Sequence, residues 1–376
     1  MLSSIRGFVS RHRRKFIVGS IVISSVIFIR YTQRRLRELQ GKEIKEILER
    51  TKRQEYFECI ERICSQMIMS LTSTLRDTVI QVLDTEVIVN KLRNGCTDKV
   101  ACWNVLKVLA ITRSAVIIYS YAMAATLIRI QFSIIGGHMY KDIQNSNGAS
   151  AENIVQTKYM SLSSHFRHDG IKKLCSLIKG KVVEITTSIS LKDELTLKNI
   201  EEIYWAITSS ISTDSSRDPV KNLTTYMLQT ECDGEEDPMF MKLINETLDL
   251  LENEEVQNIT QSNIRNGFSL LIDHMSEFFT GPTKENGKTP NGISVPGTSN
   301  QNHISWREKN NVEVNNSTFI NINKVSMPMA KIIPIINGQV PDKSMPKAFQ
   351  TDLLHRLVTN EELKTLGENI YEAFSF

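Results

Sequence analysis

The sequence predicts an all-α protein, an elongated helical bundle carried on a single N-terminal transmembrane anchor. Two observations predict the bundle: apolar residues recur three and four apart along most of the 376-residue chain, and the apolar–polar alternation of a half-buried strand is almost absent. A third predicts the anchor, because one uncharged run near the N-terminus stands between two basic clusters. Apolar residues at 41% and charged residues at 23% are ordinary for a folded body. The length allows a large core in one or two domains.

The first element is the anchor. Phe16 to Ile29 are fourteen residues without a charge, with Arg13, Arg14 and Lys15 before them and Arg30, Arg34 and Arg35 after. A helix of that length reaches roughly 21 Å, short of a hydrocarbon core of about 30 Å. Lys15 and Arg30 can bury their aliphatic stems and lift their charges to the interface, with Tyr31 beside them, so the span extends over 16–33. Residues 1–15 then form a basic leading segment, and 34–376 the helical body. A cleaved secretory signal and a core helix are the competing readings. The first lacks a small-x-small cleavage site, and the second would bury a segment that has no polar face. Both flanks are basic, so charge bias does not orient the span.

Residues 1–37 hold nine Lys or Arg and no acid, which leaves 36 basic against 42 acidic residues in the remainder. The overall charge of +3 is therefore local to the N-terminus. That argues against nucleic-acid binding by the body and for attraction of the N-terminus to anionic lipid. The six cysteines, Cys59, Cys64, Cys96, Cys102, Cys175 and Cys232, form no CxxC pair and are too sparse for a disulfide framework, which fits a reducing compartment.

After the anchor, helical spacing from Arg34 to about Arg93 predicts one or two long helices, supported on exposed faces by pairs such as Glu46 and Arg50. Asn94-Gly95 supplies a stop, and Thr97-Asp98 a cap for a helix carrying Trp103, Leu106 and Leu109. The uncharged run Ser114–Ile128, between Arg113 and Arg129, reads as a buried central helix rather than a second span, and Gly136-Gly137 is expected to end it. Further helices are expected at about 150–164, 168–192, 193–212, 238–256 and 259–280. Gly, Pro, Asn, Ser and Thr dominate about 281–326, which reads as a disordered loop. Met327–Gln339, interrupted by Pro334, looks extended, and a helix near Glu361–Phe374 closes the chain.

Catalytic motifs do not emerge. Gly281 to Thr289 imitates a phosphate loop, but five residues separate its glycines where four are needed, and no strand precedes it. His165 and His168 share a helical face without a third ligand. HExxH, GxSxG and GxGxxG are missing, which favours a binding protein over an enzyme. Leu92, Lys99 and Trp103 surround a helix start, on a stretch that also holds Lys107. They suit an incoming amphipathic helix, although an ordinary core tryptophan fits the same spacing.

Several stretches, taken in order, carry a resemblance: Arg11-His-Arg-Arg-Lys15, Thr112-Arg-Ser114 with Tyr119-Ser120, Arg129 to Gly137, Asn245-Glu-Thr247, Arg265 to Ser269 continuing to Glu277-Phe-Phe279, Ala330 to Gln339, and Tyr371 to Phe374. Together they resemble the peroxin-3 family of animals along most of the chain. The resemblance implies a single-pass protein of the peroxisomal membrane, its leading segment serving for targeting and its bulk facing the cytosol. It implies a docking receptor for the chaperone and import receptor of peroxisomal membrane proteins, peroxisomal biogenesis factor 19, whose N-terminal amphipathic helix enters a groove. Trp103 matches the groove tryptophan, Lys99 its neighbouring lysine and Leu92 a wall residue, with Leu106 and Lys331 as further groove positions. That reverses the core reading of Trp103. Gly136 and Gly137 match a structural pair that permits a sharp helix end or close packing. No cofactor, metal, small-molecule substrate, nucleic acid or catalysis is implied. A membrane-anchored scaffold tethering peroxisomes to other cytosolic machinery is the alternative. The chain departs from the family at about 141–160, 205–237 and 281–326.

Overall fold

The computed structural model describes residues 13–144, 152–228, 237–279, 324–341 and 348–376, with side chains throughout these spans except at 13–29, 33, 36–41 and 152–154. The protein is all-α, built on two long helices. Helix α1 (Arg13–Val82) has 70 residues and α3 (Lys99–Gln144) has 46, or about 105 Å and about 69 Å at 1.5 Å per residue. They run antiparallel. Ile60 lies against Gly136, Glu61 pairs with Arg129, and Thr85, just past the end of α1, accepts a hydrogen bond from Arg113 at 2.8 Å. Numbers that rise along one helix fall along the other. The stretch assigned to the anchor forms the first turns of α1, while the side chains of Arg13, Arg14 and Lys15 lie outside the described residues; Arg30 is exposed.

The predicted helical stretch from Arg34 to Arg93 contains one break. Leu83 is buried, and the Asp84 carboxylate accepts the Glu86 amide at 2.9 Å to start α2 (Glu86–Arg93). Asn94 closes α2, and Gly95 turns the chain at φ +90°, a conformation that costs a residue with a Cβ. The Asp98 carboxylate then accepts the Ala101 amide at 2.9 Å and opens α3.

Helix α3 is the axis of the core. From Leu106 to Tyr140 almost every side chain is buried, and α1, α5, α9, α10 and α12 pack around it. Among the described residues it is long and apolar enough to cross a membrane, but its apolar window is largely covered by protein, as a buried central helix requires. The expected end at Gly136-Gly137 is corrected: α3 continues two turns further, to Gln144. The glycines serve close approach instead. A Cβ on Gly137 would lie 2.6 Å from the Phe374 Cβ and 2.9 Å from the Tyr371 carbonyl, so α12 can pack here only against a bare backbone.

The remaining elements wrap this axis. They are α4 (Glu152–Met160), a turn at Ser163–His165 leading through a π-helical turn (Phe166–Gly170) into α5 (Ile171–Thr186), strand β1 (Glu194–Thr196) and α6 (Leu197–Thr213). Then come α7 (Leu223–Met227), α8 (Pro238–Glu252), α9 (Glu254–Ser276), strand β2 (Ser326–Pro328), α10 (Met329–Gln339), α11 (Ala348–Val358) and α12 (Glu361–Ser375). The two three-residue strands pair antiparallel, Leu195 opposite Met327. Caps define several starts: Thr196 and Asn199 form a capping box on α6, and Asp237 caps α8 ahead of Pro238.

Three further expectations are corrected. The helix expected over 168–192 ends at Thr186 and begins through the π turn. Met327–Gln339 is not extended beyond Pro328, because Met329, Ile332, Ile333 and Ile336 fall on one helical face and are all buried. Burial of that face overrides the hydrogen bond that Pro334 removes. Helix α11 was not anticipated. The loop expected at 281–326 lies outside the described residues up to 323, as does the phosphate-loop lookalike; from Lys324 the chain is described.

Two arginines that flank the uncharged run are built into the core. Arg113 is 0% exposed and donates to Thr85, to the Val340 carbonyl at 3.2 Å and to Asn337 at 3.4 Å. Desolvation pushes its pKa down to about 10, opposed by Asp84 and Glu86. Arg129, 1% exposed, pairs with Glu61 and reaches the Val358 carbonyl at 3.4 Å. Together they clamp α1, α3, α10 and α11.

Candidate functional site

Of the site residues read from the sequence, Leu92, Lys99, Trp103 and Leu106 lie at or beside the end of α3 that is about 100 Å along α1 from its first residue. Here the core thins. Helix α2 packs Ile88, Val89 and Leu92 against the core with none of its residues fully buried, and leaves Val87 exposed. The first two turns of α3 present Lys99, Val100 and Val105 to solvent, with Val100 62% exposed, while Trp103 is half-buried on the same core as Leu92. The result is an apolar shelf between α2 and the start of α3, rimmed by exposed Lys91, Arg93 and Lys99.

The structure therefore brings Leu92, Lys99 and Trp103 to one junction. Leu106 is 3% exposed and belongs to the core beneath the shelf, where it offers a partner no surface. Lys331 is exposed in the first turn of α10. The Ala330 amide next to it donates to the Leu191 carbonyl at 3.0 Å, which places Lys331 beside the turn that follows α5.

Lys107, on the same stretch, faces inward, its ammonium donating to the Thr186 carbonyl at 2.9 Å and the Ile189 carbonyl at 2.6 Å. The charge satisfies carbonyls at the C-terminal end of α5, where the helix dipole favours a cation. Desolvation lowers its pKa, and Asp193 opposes the shift. Lys107 thus fastens the start of α3 to the body.

The loop between α2 and α3 has its own organisation. The Asp98 carbonyl accepts the backbone amide of Cys102 at 3.2 Å, as the first turn of α3 requires, and also accepts the Cys96 thiol at 3.2 Å. Both are half-buried free thiols. The neighbouring Cys96 thiol, with desolvation, raises the Cys102 pKa.

Sequence reasoning did not single out Trp205, which is 70% exposed on α6 beside a cleft of about 170 Å³ lined by Tyr204, Thr208, Phe268 and Ile272. The signal was present, since Tyr204 is buried and its neighbour on a helix must face elsewhere. The imidazoles of His165 and His168 do not form a common face, because the π turn begins between them and leaves His165 half-buried and His168 exposed.

Comparison with known proteins gives a consistent picture. The sequence profile described as Peroxin-3 matches residues 95–373. A rat protein named peroxisomal biogenesis factor 3 is 34% identical over all of this chain and 98% of its own length, and the human protein of that name is 32% identical over the same shares. A peroxisome biogenesis protein 3-2 from Arabidopsis thaliana is 25% identical over 72% of this chain and 82% of its own. A profile match over most of the chain, together with end-to-end identity above 30%, shows that the chain belongs to the Peroxin-3 family.

Proposed function

We propose that this protein is a peroxisome biogenesis factor that docks the soluble import receptor of peroxisomal membrane proteins, peroxisomal biogenesis factor 19, on the shelf between α2 and α3. The observation that carries the reading is Trp103, a half-buried aromatic beside exposed Val100 at a junction where the core is covered on one side only. Large aromatics in such positions supply most of the binding energy at helix-in-groove interfaces. Exposed Lys91, Arg93 and Lys99 around it suit a helix whose apolar face is edged with acidic residues.

The membrane arrangement belongs to the same proposal. Residues 16–33 span the peroxisomal membrane once, Arg30 lies at the interface, and the body faces the cytosol with the shelf at its far end. Basic residues on both flanks fit an anchor held at both interfaces. The role is one of binding, and the steps it comprises need no bond-making chemistry and no cofactor.

The test is titration of a peptide carrying the N-terminal helix of peroxisomal biogenesis factor 19 into the full chain in detergent micelles. The wild type binds, and Trp103→Ala loses about 2 kcal/mol or more of binding with helicity retained. Equal affinity of wild type and variant overturns the assignment of the shelf. The alternative, a scaffold tethering the organelle to other cytosolic machinery, is favoured by exposed Trp205 beside its cleft on α6 and α9. Removing the gene separates the two, since loss of docking leaves peroxisomal membrane proteins mislocalised, and loss of a tether leaves organelles that persist but are misplaced.

A further inference from the structure

We infer that Lys107 and the turn between α5 and β1 form a latch that holds the start of α3 and the start of α10 in register, and that Lys107 is thereby a positioning residue for a helix docked on Trp103 and Lys331. The positioning role rests on the docking proposal above; the latch does not.

The observations lie on both sides of that turn. On one side stands Lys107, one helical turn beyond Trp103 on α3 and 3% exposed. Its ammonium donates to the Thr186 carbonyl at 2.9 Å and to the Ile189 carbonyl at 2.6 Å. On the other side, the Leu191 carbonyl accepts the Ala330 amide and the Asp193 carbonyl accepts the Met329 amide, each at 3.0 Å. Both amides belong to the first turn of α10, which also carries Lys331. Between the two sides the turn is closed on itself. The Ile189 amide returns to the Thr186 carbonyl at 3.1 Å, the Asp193 amide to the Ser190 carbonyl at 3.2 Å, and the Asp193 carboxylate accepts the Ser190 amide at 2.8 Å. Strand β1 follows directly and pairs with β2, the strand that leads into α10.

These bonds make the turn a stiff link. Hydrogen bonds from an ammonium are stronger than those between neutral groups, and a buried charge that loses its acceptors stands uncompensated. The two Lys107 bonds therefore resist sliding or rotation of the first turns of α3 against the turn. At the other side, two of the amides that α10 itself leaves without a partner are bonded to the same turn. Arg113, further along α3, fastens the opposite end of α10 through Asn337 and the Val340 carbonyl. Helix α10 is thus tied to α3 at both of its ends, and the Lys107 tie is the nearer to Trp103 along α3. A helix that lies on Trp103 and meets the Lys331 charge needs the two at one spacing, and the latch sets it.

The test compares four full-length chains in detergent micelles: wild type, Lys107→Met, Lys331→Ala and the double variant. Hydrogen exchange reads the latch with no ligand present. Lys107→Met is expected to speed exchange at least about fivefold in peptides covering 99–106 and 327–333, and to leave 114–128 unchanged. Unchanged exchange at both helix starts overturns the latch. Titration with the N-terminal helix of peroxisomal biogenesis factor 19 reads the positioning. Lys331→Ala is expected to weaken binding about threefold in the wild-type background, as a rim charge does. Lys107→Met is expected to weaken it at least about fivefold, and the double variant no more than Lys107→Met alone, because a charge out of register no longer contributes. Wild-type affinity in Lys107→Met, or two losses that simply multiply, overturns the positioning role. Lys107→Gln, which keeps an uncharged donor, takes the place of Lys107→Met if that variant does not fold. Failure of both to fold makes Lys107 a stability residue alone and overturns the positioning role. Failure of the wild type to bind overturns the docking proposal instead, and the exchange data still decide the latch.

Discussion

The two ends of α3 make a useful comparison. From Lys107 to Tyr140 the helix is enclosed: two arginines are buried there with partners from α1, α10 and α11 or beside them, and Gly137 lets α12 approach to backbone contact. From Lys99 to Val105 the same helix is covered on one side only, and a tryptophan and two valines remain partly or largely in solvent. Apolar residues occur in both parts, so hydrophobicity does not distinguish core from site. What distinguishes them is how many elements reach the helix. Helices α1, α5, α9, α10 and α12 pack on α3, whose side chains are nearly all buried from Leu106 to Tyr140, while those of Lys99–Val105 are exposed or half-buried and Lys107 ties the start of the helix to the end of α5.

If that contrast is right, mutations in the middle should cost stability and mutations at the start should cost binding. The largest effect is expected at Glu61. Glu61→Ala leaves the Arg129 guanidinium buried without its carboxylate, and chemical denaturation should show a loss of about 3 kcal/mol or more. Replacing both members, as Glu61→Ala with Arg129→Met, should recover much of it, because the uncompensated charge is then gone. A single variant no less stable than wild type would break the claim that Arg129 is a structural strut.

Next in size is Trp103→Ala, which should weaken helix binding by about 2 kcal/mol or more with far-ultraviolet circular dichroism unchanged. Gly137→Ala comes third, at about 1–2 kcal/mol of stability, because the atoms an added Cβ meets are the Phe374 Cβ and the Tyr371 carbonyl, which move only with α12. Gly136→Ala should be milder, since it meets the flexible tip of Ile60. The smallest effect is expected from Lys99→Glu, a rim charge. It should slow association and reduce its salt dependence, and shift affinity by less than about 1 kcal/mol in a salt-series binding measurement.

Much of this organisation was legible in the sequence. The stop at Asn94-Gly95, the Asp98 cap, the buried run Ser114–Ile128 and the closing helix all follow from local rules, and each appears where those rules put it. What escaped depends on distant partners. Arg113 bonds a carbonyl 227 residues away and Arg129 a carboxylate 68 residues away, so neither could be recognised as a buried strut. The inward tie made by Lys107 was not legible because its acceptors, Thr186 and Ile189, are remote in sequence. Pro334 suggested an extended segment, whereas the buried isoleucine face of α10 decided for helix. Gly136-Gly137 looked like a terminator, and the helix facing it comes from the far end of the chain. For the site, residue types pointed to Trp103, Leu92 and Lys99, but depth did not. Leu106, one turn from Trp103, belongs to the core.

The most direct test treats Trp103→Ala and Glu61→Ala side by side in the full chain, measuring thermal unfolding and binding of the peroxisomal biogenesis factor 19 helix on the same preparations. The account predicts a clean separation, with binding lost and the unfolding midpoint nearly kept for Trp103→Ala, and the midpoint lowered with the affinity of the folded fraction kept for Glu61→Ala. Loss of both properties together in Trp103→Ala would make that tryptophan part of the core and contradict the division of α3 on which the proposed site depends.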